Sequence, residues 1–141
     1  MKHKSTKYVN NIVIKNVYVL LIFLCFVYGQ ESLELKQADS LSAKNINNES
    51  VTILEGNIVF KKDSKMLYGD KAIQSNTSGI VKLSNNVRIE DENMSIFCDS
   101  LLYYSDNEDI ELIGNVKVVD IEQSISSKKG KLINDRNKMI L

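Results

Sequence analysis

The chain has 141 residues, 18 basic and 18 acidic side chains, 43% hydrophobic residues, no proline and no tryptophan, a size suited to one small domain. Its only histidine is His3, so the rest of the chain offers no Ser-His-Asp triad, no Cys-His pair and no His-ligated metal site; neither enzyme activity nor a metal or cofactor is expected. Residues 30–141 hold 14 basic against 18 acidic side chains, a net charge of −4, which excludes a basic surface for nucleic acid.

The first 29 residues contain four lysines and no acid, then the apolar run Val17–Tyr28 and the small Gly29. This pattern predicts a secretory signal peptide over 1–29, cleaved after Gly29, because twelve apolar residues are short for a bilayer span. An uncleaved inner-membrane anchor is the alternative, with Ile12–Ile14 extending the span and Lys15 reaching toward the interface. Residues 30–141 then form the mature domain, with Cys98 as its single cysteine, so no internal disulfide is possible and a buried, unreactive thiol is expected.

Beyond the leader, apolar and polar residues alternate with period two. Clusters of Asn, Asp, Ser and Gly interrupt them, as at 45–50, 61–65, 75–79, 90–93, 105–109, 119–123 and 134–138. The pattern predicts an all-β domain of about eight short strands, near 36–43, 51–60, 66–74, 80–90, 94–104, 109–119, 124–133 and 138–141.

An internal repeat organises these strands. Leu54-Glu-Gly-Asn-Ile58, Leu83-Ser-Asn-Asn-Val87 and Leu112-Ile-Gly-Asn-Val116 recur at 29-residue steps. The same step links Phe60, Ile89 and Val118; Leu67, Ile96 and Ile125; Val81 and Ile110; and Asp70 and Asp99. Gly56-Asn57, Asn85-Asn86 and Gly114-Asn115 are the residue types that best tolerate left-handed backbone, so a bend inside each long strand is expected. The leucine before each bend and the aliphatic residue after it keep the same phase. The product is an antiparallel creased sheet with one aliphatic face. From periodicity alone that face reads as an ordinary packed core.

These repeats, together with Ala38-Asp39-Ser-Leu41, Gly69-Asp70-Lys-Ala72 and Cys98-Asp99-Ser-Leu101, resemble the OstA-like family of lipopolysaccharide-transport proteins, the LptA-like domains, over about residues 36–141. The resemblance implies a β-jellyroll folded like a taco, located in the periplasm, with lipopolysaccharide as ligand and outer-membrane biogenesis as purpose. It further implies that Leu54, Ile58, Phe60, Leu67, Val81, Leu83, Val87, Ile89, Ile96, Ile110, Leu112, Val116, Val118 and Ile125 line an apolar trough for acyl chains. Other Lpt-type domains would pair with its open edge strands, and head-to-tail self-association is expected from the same edges. A structural β-solenoid without a lipid ligand is the alternative, since 29 residues also suit one coil of a parallel β-helix.

Departures from the repeat are Asn85 in place of glycine and Lys128 where the Asp70–Asp99 column would continue. The acidic stretch Asp106–Glu111 reads as a solvated turn, and Lys128-Lys129-Gly-Lys131 equally as a patch for lipid phosphates or as a charged sheet rim.

Overall fold

The alternating residues form nine strands in the structure, a computed structural model that describes residues 33–134 and 138–141. They are β1 (Glu34–Gln37), β2 (Ser40–Ile46), β3 (Glu49–Lys62), β4 (Lys65–Ser75), β5 (Ile80–Asp91), β6 (Met94–Tyr104), β7 (Ile110–Asp120), β8 (Ser124–Ile133) and β9 (Lys138–Ile140). From β3 to β9 each strand pairs antiparallel with its sequence neighbour, while β1 and β2 share β3 as partner. All pairings of this single sheet are antiparallel, which excludes the parallel β-helix. The expected leader, 1–29, lies outside the described residues.

The expected bend is present in every long repeat strand, and its register explains it. Between Glu55 and Ile58 strand β3 advances three residues while β4 advances two, from Lys71 to Gly69. Ser84–Val87 of β5 and Ile113–Val116 of β7 do the same against β6 and β8. One extra residue per odd strand is a β-bulge, which bends the ladder and increases its twist. Left-handed pairs carry it: Gly56 and Asn57 have φ of 77° and 46°, Asn85 and Asn86 63° and 54°, Gly114 and Asn115 76° and 46°. Asn85 thus replaces glycine without changing the geometry, because asparagine tolerates this region better than other side-chain-bearing residues.

An Asp–Asn clasp fastens each bulge to the preceding strand. Asn57 Nδ2 donates to Asp39 at 2.8 Å, Asn86 Nδ2 to Asp70, and Asn115 Nδ2 to both Asp99 oxygens at 3.2 and 2.9 Å. The aspartates lie so close over the bulge that a Cβ on Gly56 or Gly114 would come within 2.3 or 2.2 Å of a carboxylate oxygen. Asp39 also breaks the first predicted strand. That strand, expected as one piece over 36–43, is split into β1 and β2 where the Asp39 N–H donates to Gly56 O at 2.9 Å. The break lets the edge follow the same crease as its neighbours.

The crease divides the sheet into two leaves. The first leaf holds β1 and the segments 58–62, 65–69, 87–91, 94–98, 116–120 and 124–127. The second holds β2, β9 and 49–55, 71–75, 80–84, 100–104, 110–113 and 129–133. Their inner faces meet in one cluster, and the contact is close: a Cβ on Gly69 of the first leaf would lie 2.7 Å from the Leu83 side chain of the second. Gly69, Cys98 and Ser127, one 29-residue column, are all small where the crease leaves least room.

Replacing Asn115 tests whether left-handed backbone or the clasp sets the bend. Asn115→Gly, which keeps the backbone and loses the clasp, should cost about 0.5–1.5 kcal/mol in urea denaturation. Asn115→Ala should cost roughly 1–2 kcal/mol more, because alanine resists the left-handed region. Equal stability of the two variants would remove the backbone requirement.

Candidate functional site

Cross-strand registry turns the sequence columns into rows across the inner face. Beyond the crease on the first leaf runs Leu35, Phe60, Leu67, Ile89, Ile96, Val118 and Ile125. On the second leaf runs Leu41, Leu54, Ala72, Leu83, Leu101 and Leu112. A further row joins Val81, Tyr103, Ile110, Leu132 and Met139.

Of the fourteen residues expected to line a trough, thirteen are buried, none more than 9% exposed, and they pack on one another. The two leaves fill the interior with their own side chains. Ile125 departs from this: it lies in the row but is 46% exposed, because β9 pairs with residues 131–133 of β8 and leaves the start of that strand at the sheet edge.

The sequence columns omitted Ala72, Leu101 and Tyr103, which are equally buried. The bulge adds its extra residue to the odd strands, so the inward phase slips by one on the even strands: Ile96 and Cys98 point inward before the crease, Leu101 and Tyr103 after it. The 29-residue step from Ala72 to Leu101 was the available signal.

Where the free ends of the leaves approach, a cavity of about 310 Å³ opens. Lys62, Lys65 and Met94 line it from the first leaf, and Glu108, Leu132 and Met139 from the second leaf and its loops. Met94, Leu132 and Met139 are partly buried and pack directly on the core. The cavity therefore borders the apolar interior.

Charge gathers at this mouth. Lys62, only 4% exposed, reaches Glu108 Oε2 at 2.7 Å and Asp63 Oδ2 at 3.4 Å. Lys131 holds Asp109 at 2.8 Å, Lys65 meets Asp91 at 3.2 Å, and Ser64 donates to Asp91 at 2.8 Å. The stretch read as a solvated turn is thus half engaged. Glu108 and Asp109 fold over the end of the sheet and tie to both leaves, through partners 46 and 22 positions away in sequence. No local pattern encodes such pairing. Among the described residues no cluster of His, Cys, Asp or Glu could hold a metal ion.

Burial by itself would lower the Lys62 ammonium, but the hydrogen bond to Glu108 and the nearby carboxylates outweigh it and raise it above its ordinary value. Burial would likewise raise Asp91, yet hydrogen bonds from Ser64, the Glu92 N–H and Lys65 hold it below. Asp109 is held down mainly by its hydrogen bond with Lys131. Burial pushes the Cys98 thiol up to about 11, with the Asp99 carboxylate adding to the rise, so the sulfur is a protonated core residue at neutral pH.

An antiparallel sheet creased over its own aliphatic face, with a charged and apolar mouth, defines a β-taco jellyroll. The chain belongs to the OstA-like family, whose model, described as OstA-like protein, matches residues 30–129. Its fold is similar to the crystal structure of LptH from Pseudomonas aeruginosa, described as the LptA homologous periplasmic component of the conserved lipopolysaccharide transport device. That likeness has a TM-score of 0.61 and 18% identity, and covers 78% of this chain and 81% of that one. No curated protein matches the chain. Among the described residues no helix is long and apolar enough to cross a membrane.

The pH dependence of the mouth follows from the shift directions. A depressed carboxyl contributes stability above its ordinary value of 3.8 that is lost as pH falls through the folded value; a raised lysine contributes below 10.5 and is lost as pH rises through its own. Thermal melts should therefore show these contributions intact through neutral pH, with an acid decline beginning below 3.8. Asp91→Asn should make that decline shallower; an unchanged acid limb would deny Asp91 a part in it.

Proposed function

We propose that this protein is a non-enzymatic periplasmic carrier that helps move lipopolysaccharide toward the outer membrane, holding acyl chains between its two leaves while sugars and phosphates stay in water. Membership of the OstA-like family and the likeness to LptH support the setting. The observation that carries the reading is the mouth cavity, whose apolar wall of Met94, Leu132 and Met139 leads directly into the aliphatic rows.

Because those rows are closed by their own packing, loading requires the leaves to part, with acyl chains replacing the contacts between Leu54, Ile58, Phe60, Leu67, Val81, Leu83, Val87, Ile89, Ile96, Ile110, Leu112, Val116 and Val118. Each buried acyl methylene returns about 0.8 kcal/mol, so a few methylenes offset the separation of one aliphatic pair. On this reading residues 1–29 are the export signal and 30–141 the carrier domain.

A photo-cross-linking residue tests the entrance. Placed at Met94 or Leu132, it should capture lipopolysaccharide in cells, whereas at Lys117, on the outer face, it should not. Capture at none of the three, or equally at all, would remove the interior as the binding place.

The same reading extends to partners. The inner rows run out at both sheet edges in exposed apolar side chains, Leu35 (39%) and Leu41 (64%) at one and Ile125 (46%) at the other. Paired head to tail, these edges would continue the rows into a neighbouring Lpt-type domain or a second copy of the chain. Sedimentation should show mass rising with concentration, and Leu41→Asp should suppress the rise. A concentration-independent monomer would overturn edge pairing and leave a single-domain carrier.

A further inference from the structure

The mouth holds a feature that closure of an apolar sheet does not need. Lys62 ends the inner face of the first leaf at 4% exposure, and Glu108 belongs to the loop between β6 and β7 on the second leaf. Their 2.7 Å contact spans the cavity entrance from leaf to leaf. The second leaf positions the glutamate: Asn134 Nδ2 donates to the same Oε2 at 2.9 Å, the Asn134 N–H donates to Asp109 at 3.1 Å, and Lys131 pairs with Asp109 at 2.8 Å. Glu108 adopts φ of 59°, a left-handed backbone costly for glutamate, and this conformation presents its carboxylate to Lys62.

An ion pair with a buried lysine and a half-buried glutamate is a poor way to hold two apolar leaves together, since residues of similar volume without charge do so at least as well. What the pair adds is exchangeability, because another anion can take the place of Glu108 on the ammonium. The cavity beside it has the volume of a small-ligand site and joins that ammonium to the apolar wall of Met94, Leu132 and Met139.

We propose that Lys62–Glu108 is a latch across the mouth, opened by an anionic amphiphile whose acidic group replaces Glu108 on Lys62 while its chain enters past Met94. This rests on the lipid-carrier reading and adds to it a selecting residue: Lys62 recognises the acidic group, and Glu108 competes for the same place. No covalent step is involved. Neutral amphiphiles meet a closed latch with nothing to exchange for Glu108, so they bind more weakly at equal chain length.

Calorimetry on the full chain with dodecyl phosphate and dodecyl maltoside, each below its micelle concentration, tests the latch. The wild-type protein should prefer the phosphate by about tenfold, the scale of one hydrogen bond to a charged group. Glu108→Gln, which removes the nearer of the two carboxylates on Lys62, keeps the side-chain shape and leaves Asp63 at 3.4 Å, should strengthen phosphate binding several-fold relative to maltoside. The paired change Lys62→Met with Glu108→Leu, closing the mouth with apolar contact, should bring the two affinities together. Inorganic phosphate at millimolar concentration should leave dodecyl phosphate bound. Displacement by it would assign the site to a free anion and overturn the amphiphile. An unchanged preference in Glu108→Gln overturns the latch even if the paired variant does not fold. If both amphiphiles bind the wild type equally, the latch fails and the carrier reading stands; if neither binds, the carrier reading fails as well.

Discussion

One extra residue in each of β3, β5 and β7 is the constraint on which the rest of this molecule depends. The residue is accommodated as a left-handed pair at positions 56–57, 85–86 and 114–115, and an aspartate on the neighbouring strand fastens each asparagine side chain. Without the bulge the strands would continue flat, and a single sheet with one aliphatic face would have nothing to cover it. With it, the sheet covers itself. The repetition at one register position turns three local bulges into a continuous crease, and the break between β1 and β2 at Asp39 carries the crease to the sheet edge.

Self-coverage explains why the interior is filled by the sheet's own side chains. Leu67, Ala72 and Val116 have no exposed surface at all, although each belongs to a sheet with no second layer. The two leaves are joined on one side by the crease, pinned by the clasps, and on the other by the ion pairs of the mouth. Bend and closure therefore rest on different chemistry: left-handed backbone and amide-to-carboxylate hydrogen bonds at the crease, ion pairs at the mouth.

The amino-acid sequence by itself determined the strands, apart from the split at Asp39, and the crease. These rest on local quantities: period-two alternation of apolar residues, turn residues between the runs, and Gly or Asn where φ must be positive. The 29-residue step gave the rows Leu54–Leu83–Leu112 and Ile58–Val87–Val116, and the resemblance drawn from it named the family. Two things were decided only by tertiary structure. The first is that the aliphatic rows close on themselves, which depends on how sharply the bulges bend the sheet and on the one-residue slip that brings Leu101 and Tyr103 inward. The second is the mouth. Lys62 follows another lysine at a hairpin, Glu108 lies in an acidic turn, and both read as solvated until folding sets them 2.7 Å apart across 46 residues of chain. Periodicity reports which way a side chain faces on its own strand. It carries no information on which distant loop will meet it, because that meeting is fixed by the angle between leaves, a property of the whole sheet.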